Sequence, residues 1–379
     1  MPSPNRKPTV WILARGYTPD EGGLETYGRA VGHAYAAAGW KVVVFAPTSA
    51  GPRRFHDGAV EVVDVGAASQ PVVMARLVAA LRRELKGGRP DFTHAITWRL
   101  SIPGEALGLK PLAISVHGRE INFVKGPMKA LMALLMRRAQ FLVAVSHFTK
   151  QMLAERVPSA ASKTIVAWNG LSDWAENLPN RVRPVHSPTR LLSLCRLVER
   201  KNIAGAVQAA ADCTKAGAAP FLYEIGGRGP QTAEINRRIE AGSAAEQVKM
   251  LGFVPDDAMP GLFLDADIFL HPQIATEGGK DVEGFGIVIA DAMAAGCACI
   301  VGKAGGPAEL IIDGETGFVV DGDDTAAIRA RLSQLLADPE ACARLGRAAQ
   351  VFARDHFSWR KHVNDILAGA GLSGSGGNA

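Results

Sequence analysis

Two carboxylates flank a glycine-containing loop that could bind a phosphorylated sugar. Glu283 lies in this loop, and Asp291 follows eight residues later in an apolar segment typical of a helix. Free amides and a partial positive charge at a helix start attract an anion, and glycines let a phosphate approach the backbone. Together these groups could bind a nucleotide-sugar along its length. The loop carboxylate would accept hydrogen bonds from sugar hydroxyls, the amides would bind the diphosphate, and the helical carboxylate would bind the ribose. An ordinary helix capped by an acid is the alternative interpretation.

Two cations follow a strand-like run, RLLSLC, in the second half of the chain. Arg196 comes directly after this run, and Lys201 lies five residues later. Cations at the carboxyl end of a strand are well placed to bind a diphosphate and to stabilise the charge that grows on a leaving group. A solvated charge pair with Glu199 is the alternative.

Two candidates follow strand-like runs in the first half. Gly22 and Gly23 follow TVWILA and open a helix-like segment, so that their amides could bind the same phosphates. His117 follows LAISV and is expected to face a cleft, with a hydrogen-bonded structural histidine beneath a loop as the alternative.

The elements that must position these residues repeat one pattern. Short β-branched runs alternate with longer Ala/Leu-rich segments from TVWILA to FLVAVS, and again from RLLSLC onward. This alternation predicts βαβ units, and therefore parallel sheets that are covered by helices. In such sheets a ligand binds beyond the carboxyl ends of the strands. Helices are predicted at 23–38, 72–86, 204–216, 231–242 and 286–295, with a last helical region at 325–350.

A stretch at 178–190, LPNRVRPVHSPTR, lacks periodicity and is typical of an interdomain linker. The sequence therefore predicts two Rossmann-like domains, one over 1–180 and one over 185–350. The tail GLSGSGGNA at 371–379 is of low complexity, and we expect it to be disordered.

Length and composition agree with two domains and set limits on partners. The chain has 379 residues, of which 47% are hydrophobic, enough to bury two cores. No apolar run has the length of a membrane span or a signal segment, so we expect a soluble, cytoplasmic protein. The first half is the more basic, yet no nucleic-acid-binding motif appears. Segment 125–138 is apolar with basic ends and could lie on anionic lipid; a core helix is the alternative.

Metal and redox sites are not expected. The five cysteines form no C-x-x-C pair and indicate reduced, mostly buried thiols. Asp265 and Asp267 form a D-x-D pattern, but they precede the strand-like run IFLH rather than follow it, so we interpret them as structural. The sequence thus predicts no metal and no cofactor besides a nucleoside-diphosphate sugar as substrate.

The chain resembles the retaining glycosyltransferases of family 4, which have the GT-B fold of two facing Rossmann-like domains with an interdomain cleft. The resemblance covers nearly the whole chain, and it rests on the order and spacing of its motifs. These motifs are GGLETY at 22–27, SVHGRE at 115–120, VAVSHFTK at 143–150, NG at 169–170, CRLVERKN at 195–202, IGGRGP at 225–230, LGFV at 251–254, EGFGIVIADAMAAG at 283–296, GGPAELI at 305–311 and FSW at 357–359.

The resemblance implies metal-independent, retaining transfer from a UDP- or GDP-sugar to a hydroxyl acceptor, with the departing phosphate as base. The first domain would bind the acceptor and the second the donor, and a helix around 356–370 would cross back to the first. Arg196 and Lys201 would bind the diphosphate, Glu283 the sugar, and His117 would lie near the reacting centre. The implied donor-binding positions are Gly22, Gly23, Arg196, Lys201, Gly252, Phe253, Val254, Glu283, Gly284, Phe285, Gly286, Ile287, Val288 and Asp291.

The acceptor is less constrained by the sequence. Trp98 and Arg99 follow the run DFTHAIT and are candidate acceptor contacts, with plain packing as the alternative. The acceptor would be a sugar, a lipid-linked sugar or a small molecule, and the basic first domain could make peripheral contact with the inner membrane face.

Two positions depart from the family pattern. Asp291 stands where the family usually has Glu, and Cys195 stands where Gly usually precedes the arginine. The shorter side chain puts a ribose contact at 291 in doubt. Two other functions remain open: a nucleotide-sugar hydrolysing 2-epimerase, which would release free sugar, and a non-catalytic nucleotide-sugar-binding protein.

Overall fold

A computed structural model describes residues 6–20, 22–180 and 185–372. The chain separates into two compact units, one formed by residues up to 170 together with those from 359 onward, and the other by residues 171–358. Residues 181–184 of the predicted linker, and the predicted tail from 373 onward, lie outside the described residues.

The first unit contains a sheet of eight strands in the order β3-β4-β2-β1-β5-β6-β7-β8. Its neighbours are parallel except for β3 and β4. Most of its parallel strands are buried along nearly their whole length, as expected for a sheet covered by helices on both faces. The strands are β1 (Thr9–Leu13), β2 (Lys41–Ala46), β3 (Arg53–Asp57), β4 (Val60–Asp64), β5 (Phe92–Ala95), β6 (Leu112–Val116), β7 (Phe141–Ala144) and β8 (Thr164–Val166).

Helices of the first unit follow the predicted alternation, and the last one comes from the end of the chain. The crossing helix predicted at 356–370 is α14 (Trp359–Gly369), and its packing against α1 (Gly23–Ala37) and β8 explains why the unit includes it. The helices are α1 (Gly23–Ala37), α2 (Gln70–Glu84), α3 (Ser101–Ala106), α4 (Arg119–Asn122), α5 (Pro127–Arg138), α6 (His147–Arg156) and, after the second unit, α14 (Trp359–Gly369).

The antiparallel pair β3 and β4 is a hairpin that the sequence analysis missed. Its two-residue turn begins at Gly58, whose φ of 58° lies in the left-handed region that favours glycine. The Asp-Gly dipeptide before β4 was the available signal. Asp57 at this turn binds Arg29 and His33 of α1, so the hairpin is held against that helix.

The second unit contains a wholly parallel sheet of six strands in the order β11-β10-β9-β12-β13-β14. The two parallel-strand α/β units confirm the predicted fold class. The strands are β9 (Thr189–Leu194), β10 (Phe221–Gly226), β11 (Val248–Gly252), β12 (Ile268–His271), β13 (Ala298–Gly302) and β14 (Gly317–Val320). The helices are α7 (Asp173–Glu176), α8 (Ile203–Lys215), α9 (Thr232–Ala241), α10 (Met259–Asp265), α11 (Ile287–Ala294), α12 (Thr325–Ala337) and α13 (Pro339–His356).

The helical region predicted at 325–350 is two helices. Asp338 ends α12 and caps α13, because its carboxylate accepts a hydrogen bond from the amide of Ala341 and Pro339 opens the next helix. In the described part of the chain, no helix is both long enough and apolar enough to cross a bilayer.

Candidate functional site

Loops after the strands of the second unit pack against one another through glycine. A Cβ on Gly227 would lie 1.8 Å from the carbonyl oxygen of Cys195, and one on Gly229 would lie 2.1 Å from that of Leu197. Only glycine permits these approaches, which bring the loop after β10 onto the loop after β9. The IGGRG run therefore shapes the surroundings of Arg196 and Lys201.

Lys201 and Glu283 meet at the carboxyl ends of β9 and β12, as the predicted donor site requires. Lys201 Nζ lies 2.6 Å from Glu283 Oε2, and both side chains are largely buried. Arg200 also binds Glu283 Oε2, and its Nε lies 3.4 Å from Asp281 Oδ1. Two cations and two carboxylates thus form one cluster, which we call the β9–β12 cluster.

The β9–β12 cluster keeps Glu283 ionised. Burial alone would raise the pKa of this carboxyl, but the charges of Lys201 and Arg200 outweigh burial and lower the pKa to about 2. An ionised carboxylate that is held by cations accepts hydrogen bonds but is a weak base, which suits binding of hydroxyl groups better than proton abstraction.

His271 is a member of this site that the sequence analysis missed. It ends β12, it is fully buried, and its Nε2 lies 3.3 Å from Lys201 Nζ. Because an ammonium can only donate, Nε2 accepts and the imidazole is neutral. Burial first, and then the charge of Lys201, lower the pKa of His271 well below its usual range. A histidine at the carboxyl end of IFLH was the available signal.

Other predicted donor positions lie at the same end of the sheet, and their side chains differ in how far they are exposed to solvent. Arg196 is exposed, and no ion pair within the described residues engages it. Gly252 ends β11 at a φ of 71°, Phe253 is 51% exposed beneath the guanidinium of Arg228, and Val254 is buried. Arg196 and Phe253 are therefore open to a ligand.

The loop before α11 places a helix start beside Glu283. Gly286 precedes the helix at a φ of 93°, Phe285 is buried, and Gly284, Ile287 and Val288 are partly exposed. The carbonyl of Glu283 accepts a hydrogen bond from the amide of Gly306 at 3.0 Å, which fixes the loop. The arrangement leaves the first turn of α11 able to receive an anion.

Asp291 lies within α11 and is 3% exposed. Its Oδ1 accepts a hydrogen bond from the amide of Ser172 at 2.8 Å, and its Oδ2 accepts one from the hydroxyl of Ser172 at 2.7 Å. Ser172 precedes α7, so this pair ties the start of the second unit to α11. Both carboxylate oxygens of Asp291 are thus engaged by Ser172, a residue 119 positions away in sequence. A contact between Asp291 and the ribose of the donor stays a prediction.

We expect Asp291→Asn to stabilise the protein at alkaline pH. Burial raises the pKa of Asp291 to about 7, while the unfolded chain has a value near 3.8. A raised carboxyl pKa means that stability falls as pH rises from about 4 to 7, because the folded state must lose a proton that the unfolded state has already lost. An amide avoids this cost, so urea unfolding should show a gain on the order of 2 kcal/mol at pH 8 that shrinks by pH 5. A gain that did not depend on pH would contradict this account.

Binding of UDP or GDP to Asp291→Ala tests the ribose contact separately. If the carboxylate binds ribose, affinity should fall by about 1–3 kcal/mol. Unchanged affinity would show that position 291 serves only the contact with Ser172.

His117 follows β6 in the first unit, where its orientation is fixed. Its Nε2 lies 2.9 Å from the carbonyl oxygen of Ile96, and its amide donates to Glu120. A carbonyl only accepts, so Nε2 carries the proton and Nδ1 is left as an acceptor. Burial lowers the pKa of His117 below its usual value, which keeps the ring neutral. The ring can thus accept a hydrogen bond from a hydroxyl.

The remaining predicted residues of the first unit differ in accessibility. Trp98 is 1% exposed and donates to the carbonyl of Glu120 at 3.1 Å, so it packs beneath the turn that follows His117. Arg99 is exposed above the Trp98 ring. Gly22 and Gly23 are exposed at the start of α1, and a Cβ on Gly23 would meet no atom within 4 Å. Acceptor contacts of Trp98 and Arg99 stay predictions.

A chain of hydrogen bonds runs beneath His117 and includes α14. His362 Nδ1 lies 3.0 Å from the carbonyl oxygen of Trp168, so Nδ1 donates and Nε2 accepts from Tyr27. Tyr27 then accepts from Ser115, which accepts from His94 Nε2. Each imidazole carries one proton, and the Tyr27 ring packs edge-on against His117 at 4.6 Å. The C-terminal helix thereby supports the ring that contacts His117.

Acid should destabilise this chain of hydrogen bonds, and His362→Gln should remove the part of that sensitivity that comes from His362, while His94 keeps its own. Burial lowers the pKa of His362 to about 4, against 6.5 for an unperturbed imidazole. Stability is therefore complete above about pH 6.5 and is lost as pH falls toward 4, because the unfolded chain takes up the proton first. Glutamine keeps one donor and one acceptor without titrating. Between pH 8 and 5 the free energy of unfolding should fall by about 2 kcal/mol less in the variant than in the wild type; equal losses would contradict the assignment.

Asp265 and Asp267 lie at the amino end of β12, away from the β9–β12 cluster. Asp267 is buried and accepts hydrogen bonds from the amides of His186 and Arg190. Asp265 pairs with the Arg190 guanidinium at 2.9 Å. Across the residues that the structure describes, no group of three or more His, Cys, Asp or Glu side chains is placed to hold a metal ion.

Family models match both halves of the chain. The model described as glycosyltransferase family 4 matches residues 21–173, and the one described as glycosyl transferases group 1 matches residues 176–352. A GDP-mannose-dependent alpha-(1-6)-phosphatidylinositol monomannoside mannosyltransferase from Mycolicibacterium smegmatis is 29% identical over 69% of this chain and 71% of its own length. Its namesake from Mycobacterium tuberculosis is 26% identical over 92% of this chain and 94% of its own.

Solved structures share the fold across the chain. A glycosyltransferase from Rickettsia africae has a TM-score of 0.74 at 17% identity, covering 96% of this chain and 98% of its own. HepE from Anabaena, solved with UDP, has a TM-score of 0.73 at 20% identity, covering 95% of this chain and 99% of its own. These likenesses confirm the predicted GT-B fold.

The family models and the named relatives indicate one class of enzyme. The family 4 model and the group 1 model match consecutive parts of the chain, which together make up most of it, and the two mycobacterial relatives are named as mannosyltransferases. The chain therefore belongs to the family 4 and group 1 glycosyltransferases, enzymes that use nucleotide-sugars, and the predicted glycosyltransferase class is confirmed.

Proposed function

We propose that this enzyme transfers a sugar from a UDP- or GDP-sugar to a hydroxyl acceptor with retention of anomeric configuration and without a metal ion. The observation that carries the proposal is the contact of Lys201 Nζ with Glu283 Oε2 at 2.6 Å, at the carboxyl ends of neighbouring strands. Lys201 and Arg196 neutralise the leaving diphosphate, and Glu283 binds the sugar hydroxyls. His117 accepts a hydrogen bond from the transferred sugar or acceptor.

Retention by a front-side route is supported by the state of Glu283. Its low pKa and its two cationic partners make it a poor nucleophile and a poor base. In this route the bond from the anomeric carbon to the diphosphate breaks, the acceptor oxygen bonds to the same face, and the departing phosphate oxygen takes the acceptor's proton.

The donor's base is one of two kinds. The mycobacterial relatives are named for GDP-mannose, whereas HepE was solved with UDP. We therefore propose a UDP- or GDP-hexose, and the acceptor of the named relatives makes a lipid-linked sugar a candidate acceptor.

Nuclear magnetic resonance of the product tests the proposal. A donor of known anomeric configuration should give the same configuration in the product, and turnover in EDTA should stay within about twofold, a difference of roughly 0.4 kcal/mol in barrier. An inverted product would overturn retention, and strict dependence on added Mn²⁺ or Mg²⁺ would overturn the metal-free route. Free sugar formed without acceptor would favour the 2-epimerase.

Contact with an anionic membrane surface is a second part of the proposal. On and beside α5, Met128 is 38% exposed and Leu134 is 42% exposed, and Lys125 and Lys129 are exposed near them. Apolar side chains flanked by cations suit the boundary of an anionic bilayer. Sedimentation with vesicles containing phosphatidylserine should pull down the wild type and much less of a Met128→Ser, Leu134→Ser variant; equal binding of both proteins would refute this contact.

A further inference from the structure

Glu283 holds both of its cations on one oxygen. Lys201 Nζ and the Arg200 guanidinium each bind Oε2, and no hydrogen bond or ion pair within the described residues reaches Oε1. One oxygen is therefore fixed by protein charges, and the other is available as an acceptor. Such an arrangement orients a carboxylate without using up its binding capacity.

Charge balance explains why two cations are needed there. Before a donor binds, the β9–β12 cluster has two cations, Arg200 and Lys201, against two carboxylates, Asp281 and Glu283. An incoming diphosphate adds negative charge that Lys201 must share. Arg200 is not needed by the diphosphate, because its partners are the carboxylates of Glu283 and Asp281. It can therefore stay paired with Glu283 when Lys201 binds the phosphate.

Backbone contacts fix both ends of the arginine bridge. The carbonyl of Arg200 accepts a hydrogen bond from the amide of Ile274 at 2.8 Å. Thr276 and Asp281 exchange backbone hydrogen bonds, with the Thr276 amide 3.0 Å from the Asp281 carbonyl oxygen. The guanidinium of Arg200 thus joins the segment after β9 to the loop that contains Glu283. A planar group with several donors can span two carboxylates, which an ammonium cannot do as well.

We propose that Arg200 is a positioning residue for sugar transfer, which keeps Glu283 ionised and leaves its Oε1 open to the donor sugar. The inference rests on the proposed function of Glu283, and it assigns to Arg200 no contact with the diphosphate. Removal of Arg200 should therefore affect the sugar part of the donor far more than the nucleotide part.

Three proteins test this division: the wild type, Arg200→Gln and Arg200→Lys. Calorimetry should show that UDP or GDP binds Arg200→Gln within about threefold of the wild type, whereas its kcat/KM for transfer falls by about 100-fold, mostly in kcat. Arg190→Gln is the matched control, because Arg190 pairs with exposed Asp265 at the other end of the sheet and should leave transfer unchanged.

The pH profile separates positioning from a general loss of structure. The active form has ionised Glu283, so activity is lost as pH falls through its pKa. The charged or titratable groups near Glu283 are Arg200, Lys201, Asp281, His271 and Cys195, and of these Arg200 is the one removed. Arg200→Gln should lose kcat/KM at a higher pH than the wild type does, and Arg200→Lys, which retains the charge, should move this loss back toward the wild-type pH and restore part of the rate.

The outcomes are distinct. Transfer by Arg200→Gln at the wild-type rate, or an acid limb no different from that of the wild type, would overturn the role of Arg200. Loss of UDP and GDP binding as severe as in Lys201→Ala would overturn it too, by placing Arg200 on the diphosphate. Failure of the wild type to bind either nucleotide would overturn the proposed function, and this inference with it.

Discussion

Arg196→Ala and Lys201→Ala are each expected to abolish the rise in melting temperature that UDP or GDP gives the wild type. Each change removes a cation that the diphosphate would otherwise pair with, and the loss of one such charge-assisted contact costs about 2 kcal/mol or more, at least tenfold in affinity. Differential scanning fluorimetry with and without nucleotide measures this directly.

The two variants should differ when no nucleotide is present. Arg196 is exposed, so its removal should leave the melting temperature of the free protein near that of the wild type. Lys201 is 6% exposed and pairs with Glu283, so its removal should lower that temperature. Arg190→Ala serves as control. Normal nucleotide shifts in both site variants would show that the diphosphate binds elsewhere.

Glu283→Gln should separate nucleotide binding from transfer. The amide has the same shape but no charge, so it leaves Arg200 and Lys201 with excess positive charge. Binding of UDP or GDP should therefore be as tight as in the wild type or tighter, while kcat falls by about 100-fold or more because the sugar loses a charged acceptor. Calorimetry and a transfer assay on the same preparation measure both effects.

A parallel loss of nucleotide affinity in Glu283→Gln would contradict the assignment of Glu283 to the sugar. Unchanged transfer would remove Glu283 from the site altogether. Both results are separable from misfolding, since a folded variant should give the same melting profile without nucleotide as the wild type does, in shape if not in midpoint.

The fold was predictable because its signals are local. Alternation of β-branched runs with Ala/Leu-rich segments predicted parallel sheets, and helix limits at 23–38 and 204–216 agree with Gly23–Ala37 and Ile203–Lys215 within one residue. The hairpin at β3 and β4 was missed although Asp57-Gly58 signalled it. Strand β14 was missed because a four-residue apolar run is a weak pattern by itself.

The site was predictable only in part, because its geometry depends on strand order. Arg200 and Glu283 are 83 positions apart, and they meet because β9 and β12 are neighbours in the sheet. No periodicity reveals that adjacency, so Arg200 went unrecognised, whereas His271 was missed although its position at the end of IFLH signalled it. The contact of Asp291 with Ser172 was hidden because the two residues are 119 positions apart and meet only when α11 packs near the start of α7.

The central claim is that this chain uses the β9–β12 cluster to transfer a sugar from a nucleotide-sugar. The most direct test incubates the wild type and Glu283→Gln with a panel of UDP- and GDP-hexoses and candidate hydroxyl acceptors, and then identifies products by mass spectrometry. The account predicts that the wild type gives one glycosylated acceptor per nucleoside diphosphate released, and that Glu283→Gln gives about 100-fold less product. Equal yields from the two proteins, or free sugar from the wild type in place of a glycosylated acceptor, would contradict it.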